Sequence, residues 1–130
     1  MAVPSLIEGH LGSTWPVVAF VSLRATNRIG FPHTAYFPRC RPMVMASWQR
    51  LAESRWAGEC QLVVTDQGTV LTDREATRRA LHRLGGIPVL VVGTSHPLPR
   101  WARELGCQAV ARDLLAPCAQ RMLGSSQLVP

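Results

Sequence analysis

The chain has 130 residues, 47% of them hydrophobic and 17% charged, with a formal net charge of +6. That length suits one domain with a real core, and that balance excludes a disordered chain. No apolar run approaches the roughly 18 residues of a membrane-spanning helix. Residues 1–15 carry Gly, Ser and Pro without periodicity and read as a flexible N-terminal arm. They lack a basic stretch followed by an apolar core, so no signal peptide is expected and the predicted compartment is the cytoplasm.

Pro16–Ser22, PVVAFVS, is the first apolar run and a predicted strand. Gly30, Pro32 and Pro38 then interrupt any helix, which leaves one or two turns near Arg24–Ile29. Pro42–Ala46 is a short second strand. Ser47 can cap a helix over Trp48–Trp56, whose Trp48, Leu51, Ala52 and Trp56 share a face, with Gly58 ending it. The stretch Cys60–Asp73, CQLVVTDQGTVLTD, is the centre of the chain's organisation. Its β-branched strand, Gln61–Asp66, stops on a carboxylate, and a loop, Gln67-Gly68-Thr69, is expected to lead towards a helix capped by Thr72 or Asp73. Ala76, Ala80, Leu81 and Leu84 line the inside of that helix, and Gly85-Gly86 stops it. Ile87–Val92 is a fourth strand, Arg100–Leu105 a helix started by Pro99, Cys107–Ala111 a fifth strand and Leu114–Leu123 a last helix. Short strands alternating with helical segments predict a five-stranded parallel sheet, a flavodoxin-like α/β/α fold. The domain is expected to span residues 16–124, with a disordered tail over 125–130.

All fourteen basic residues are Arg, and no Lys is present. The arginines are scattered rather than run together, which reads as compositional bias and not as a nucleic-acid-binding tail. Cys40, Cys60, Cys107 and Cys118 include no CxxC pair, and His10, His33, His82 and His96 complete no zinc pattern. Free buried thiols, no metal and no cofactor are therefore expected. Asp73 serves better as a helix cap than as a catalytic partner of Asp66. Backbone N–H groups at Gly68 and Gly93-Thr94-Ser95 are weak candidates for an anion site, and the loop histidine His96, at the mouth of the fourth strand, could hydrogen-bond or act as a base but reads more simply as a surface residue.

The layout resembles the receiver domain of bacterial two-component response regulators, on spacing more than on motifs. A receiver's third strand closes on the phosphorylated Asp, which falls on Asp66; its fourth closes on Thr or Ser, which falls on Gly93 or Thr94. The segment Trp101–Cys107, WARELGC, is similar to the receiver stretch before the fifth strand. The acidic pair that binds magnesium would fall near Val21-Ser22, yet no carboxylate lies between Glu8 and Glu53. The family's Lys has only Arg112 as a stand-in. The resemblance thus implies a degenerate receiver, in which Asp66, Thr94 and Arg112 are vestigial. It would be a non-enzymatic signalling module, suited to the regulatory front of a transcriptional regulator. It also implies signalling through the fourth helix, fifth strand and fifth helix, here with Arg100, Trp101, Arg103, Arg112, Leu115 and Met122 as interface residues, Arg121 beside them. The expected partner is another protein domain or a second copy, with neither nucleic acid nor membrane. A competing likeness, to haloacid-dehalogenase-type phosphatases, rests on Val64–Asp73 and Gly86–Leu105; aligning Gly68-Thr69 with that family's loop puts Thr65 and Gln67 where its aspartates belong.

Overall fold

A computed structural model describes residues 15–31, 39–94 and 96–127. Five strands, β1 (Val17–Val21), β2 (Arg41–Met45), β3 (Cys60–Asp66), β4 (Val89–Val92) and β5 (Cys107–Val110), form one parallel sheet in the order β2-β1-β3-β4-β5. Six helices accompany them: α1 (Ala25–Gly30), α2 (Trp48–Glu53), α3 (Gln67–Thr72), α4 (Arg74–Leu84), α5 (Arg100–Glu104) and α6 (Leu115–Gln127). This is the flavodoxin-like α/β architecture that the alternation of strands and helical segments predicts.

The strands are apolar on both sides because both sides are covered. Val17, Ala19, Val21, Val63, Val89 and Val91 face α2, α4 and α5, where Trp48, Leu51, Ala80, Leu81 and Ala102 pack on them. The alternate residues Val18, Phe20, Leu62, Val64 and Leu90 meet Phe31 and the α6 residues Leu115, Cys118, Ala119 and Leu123. The four cysteines are unpaired thiols, three of them buried. Among the described residues, no helix is long and apolar enough to cross a membrane.

Several boundaries differ from those the sequence pattern predicts. Helix α2 ends at Glu53, not Trp56. Ser54 turns extended, its N–H still reaching Leu51 O, and its hydroxyl accepts from the Trp56 N–H, replacing the next helical turn with a local bond. A single 3-10 turn at Ala57–Glu59 follows. Helix α6 continues to Gln127, past the end expected at Leu123. The predicted arm lies outside the described residues except for Trp15. Helix α4 matches expectation: Asp73 Oδ1 accepts from the Ala76 N–H at 3.0 Å, and Gly85 closes it at φ 85°, a left-handed conformation in which a side chain is strained.

Helix α1 is the weak crossover that the interrupting Gly and Pro predict. It buries no residue of its own. Phe31, directly after it, is fully buried against Phe20, ring centroids 6.4 Å apart. One apolar side chain thus pins the end of a helix that packing alone does not hold.

Two features of the core lead to measurable outcomes. The Thr65 hydroxyl is fully buried and meets no partner among the described residues. Thr65→Val keeps the shape and removes an unsatisfied polar group, so urea unfolding should show a gain of about 1 kcal/mol; a loss would contradict this placement. Burial pushes the Cys60 and Cys107 thiols up to about 11, Cys60 despite hydrogen bonds that act in the opposite direction. Both stay protonated in mildly alkaline buffer, so iodoacetamide should label them only after denaturation. Prompt labelling of the native protein at either position would refute this.

Candidate functional site at the carboxyl edge of the sheet

In a sheet of this order the chain winds outward on both sides of the β1/β3 pair, and the crevice lies beyond the carboxyl ends of those strands. Asp66 closes β3, and Ser22 follows β1 beside it. The expected loop after Asp66 does not exist: the chain turns straight into α3, with Asp66 as its N-cap. Asp66 Oδ1 accepts from the Thr69 N–H at 2.8 Å. The Asp-x-x-Thr spacing is that of a cap bonding the third residue of its helix, a signal readable in the sequence and outweighed there by Gly68.

The other oxygen is also taken. Asp66 Oδ2 accepts from the Ser22 hydroxyl and from Asn27 Nδ2, the latter at 2.9 Å. Around this core, Ser22 Oγ accepts from the Arg24 N–H at 3.0 Å and Ser22 O accepts from Arg28 Nη1 at 2.9 Å. Thr69 Oγ1 accepts from the Leu23 N–H at 3.0 Å, and Thr69 O accepts from Trp48 Nε1 at 3.0 Å. The network ties the β1–α1 turn, β3, α3 and α2 together. Burial pushes the Asp66 carboxyl up, but the hydrogen bonds from Ser22, Asn27 and Thr69 outweigh it and hold the group below its ordinary value of 3.8.

Chemically the arrangement is a satisfied anion. A divalent ion at this edge requires carboxylate lone pairs and bound water. Here the Asp66 oxygens accept protein hydrogens, and the neighbours Ser22 and Asn27 are neutral and act as donors. The residues present do not fit magnesium. Among the described residues no three of His, Cys, Asp and Glu stand close enough to hold any metal ion.

The other predicted positions are spread out. Thr94 is half-buried just beyond β4. Arg112, the stand-in for a lysine, sets its guanidinium 5.8 Å over the Phe31 ring. Asp73 caps α4. His96 is exposed, and Ser95 lies outside the described residues. At the far edge, α5 and α6 lie on opposite faces with β5 between them. Arg100 pairs with Glu104 at 3.0 Å, Arg103 is exposed, and Trp101 is half-buried with Arg74 5.2 Å over its ring. Leu115 corrects the expected interface: at 1% exposure it belongs to the core, because its turn of α6 faces β3 and β4. Met122 is half-buried against the same cluster. Ser22 and Asn27 are not legible in the sequence as Asp66's partners, since only the fold brings them across from β1 and α1.

Removing the anion should cost stability in a pH-dependent way. Asp66→Ala is expected to lose roughly 2 kcal/mol at neutral pH, from a lost cap and stranded donors. A carboxylate whose folded pKa is depressed stabilises fully above the unfolded value and loses that contribution as pH falls through the folded one. The gap between wild type and Asp66→Ala in urea unfolding should therefore shrink as pH drops below 3.8; a gap that stays constant would show that the carboxylate is not held as described. No protein-family model, no curated protein and no solved structure matches this chain.

Proposed function

We propose that this domain is a receiver-like protein-interaction module that works without aspartyl phosphorylation and catalyses no reaction. The observation that carries this is the occupation of both Asp66 oxygens by Ser22, Asn27 and Thr69. A phosphoacceptor carboxylate must present a lone pair to phosphorus and share its site with a metal that neutralises the developing charge. At Asp66 three protein donors, two on Oδ2 and one on Oδ1, instead hold the β1–α1 turn against α3. The position that supplies ligands in a working receiver carries Ser22, whose hydroxyl acts as a donor. What remains of the receiver plan is its distal edge, formed by α5, β5 and α6, and association through that edge is the activity we assign to it.

The same observation disfavours a haloacid-dehalogenase-type phosphatase, since its nucleophile is likewise a free carboxylate at a strand end. Under this reading, acetyl phosphate or fluoroberyllate with magnesium leaves tryptophan fluorescence unchanged, in wild type and Asp66→Asn alike. A saturable magnesium-dependent change lost in Asp66→Asn would overturn it. Steady phosphate release from an aryl phosphate, abolished by that substitution, would favour the phosphatase.

A further inference from the structure

The two edges of the sheet are built differently. At β2, Arg41 N–H donates to Pro16 O and Ser22 N–H donates to Met45 O, so residues 41, 43 and 45 point their backbone groups inward and Pro42 points outward. A proline there removes the outward donor and blunts the edge. At β5 the corresponding bonds run from Val89 N–H to Gly106 O and from Gly93 N–H to Val110 O. By alternation along the ladder, Cys107 and Ala109 turn their N–H and C=O groups outward, whereas the C=O of Ala111, just past the strand, accepts from the Leu114 N–H. Strand β5, CQAV, carries no proline and no charge, and Gln108 and Ala109 are exposed. Among the described residues no strand lies beyond it.

A groove runs along each face of this edge. On the α5 side one of about 490 Å³ is lined by Leu98, Arg103 and Cys107. On the α6 side one of about 310 Å³ is lined by Leu114, Pro117 and Arg121, and Leu114 is 54% exposed. An added strand projects alternate side chains into the two grooves. Each offers an apolar lining and one exposed arginine, neither arginine in an ion pair among the described residues.

We infer that β5 is a strand-addition site for an extended acidic segment of another protein, with a carboxylate on one of its faces reaching Arg103 and a carboxylate on the other reaching Arg121. The inference deepens the proposed interaction role and rests on it. Charge decides the occupant. A second copy pairing antiparallel across a two-fold axis would set Arg103 against Arg103 and Arg121 against Arg121, which is repulsive. An acidic strand meets opposite charge on both faces and takes its backbone bonds from an open edge.

The test uses the full chain and a fluorescein-labelled peptide, acetyl-Val-Val-Asp-Glu-Val-Val-amide, whose adjacent Asp and Glu face opposite sides of an extended strand, with fluorescence anisotropy as the readout. Saturable, salt-weakened binding is expected, reduced about tenfold by Arg103→Glu or Arg121→Glu. Ala109→Pro should abolish it by removing an outward donor. Because that substitution can strain β5, a peptide N-methylated at every residue, which can donate from neither edge, makes the same test from the other side and should bind wild type no better than buffer. No saturable binding overturns the inference, as does binding that survives both Ala109→Pro and N-methylation. A dimer in sedimentation velocity that Ala109→Pro dissolves also overturns it, in favour of a second copy. Repeating the titration with acetyl phosphate and magnesium separates the two proposals. Edge binding that depends on phosphate and on Asp66 keeps the strand-addition site and removes the phosphorylation-independent role; binding indifferent to phosphate supports both.

Discussion

The hydrogen-bonded carboxylate of Asp66 holds the carboxyl edge of this sheet together. It caps α3 and holds the Ser22 hydroxyl and the Asn27 amide, and Thr69, whose N–H it receives, in turn accepts from Leu23 and Trp48. Most helices of an α/β domain are fixed by an apolar stripe. Helix α1 has none, and its place is set by Asn27 on Asp66, Arg28 on Ser22 and the buried Phe31 at its end. An anion suits this role because three donors converge on it, and a neutral amide in its place would bring hydrogens of its own towards them. The hydrogen bonds that make Asp66 a structural centre are the ground on which we propose that it does not act as a nucleophile.

Arginine does a second kind of structural work here. Guanidinium groups of Arg39, Arg55, Arg74 and Arg112 lie 5.2 to 5.8 Å over the rings of Trp15, Trp56, Trp101 and Phe31. A planar guanidinium stacks on an aromatic face while staying partly hydrated, a task for which an ammonium is less suited. Arg41, Arg78 and Arg100 pair with Glu59, Glu75 and Glu104 at the surface, where such pairs add little stability. The positive charge is thus distributed over individual structural contacts around much of the molecule. At β5, by contrast, two exposed arginines flank an open strand, and there the charge has a direction.

The asymmetry of the two sheet edges has its origin in the same local chemistry. β2 carries its proline at an outward position, which ends pairing on that side. β5 is short, and short edge strands are one of the ways proteins limit unwanted pairing. Its own composition is neutral, and the exposed arginines beside it stand on α5 and α6.

Local sequence is enough to specify the layers. Runs such as Val17–Val21 and Val89–Val92, apolar at every position, are buried on both sides, and that is legible because a parallel sheet between two helix layers needs continuous hydrophobicity. The Asp73 and Ser47 caps and the Gly85 stop are legible for a related reason: each acts within one turn of chain. The end of α2 at Ser54 and the helix that starts directly at Asp66 escape a reading by periodicity, since both depend on one local hydrogen bond winning over a periodic pattern. Beyond the local cap to Thr69, the company of Asp66 is a matter of tertiary structure. Ser22 and Asn27 lie 44 and 39 residues away along the chain, and no spacing encodes a contact that exists only when β1 pairs beside β3. Tertiary packing likewise turns Leu115 into the core and leaves Ala109 at an open edge, because the direction of a side chain or an N–H group is set by register, and register is a property of the assembled sheet.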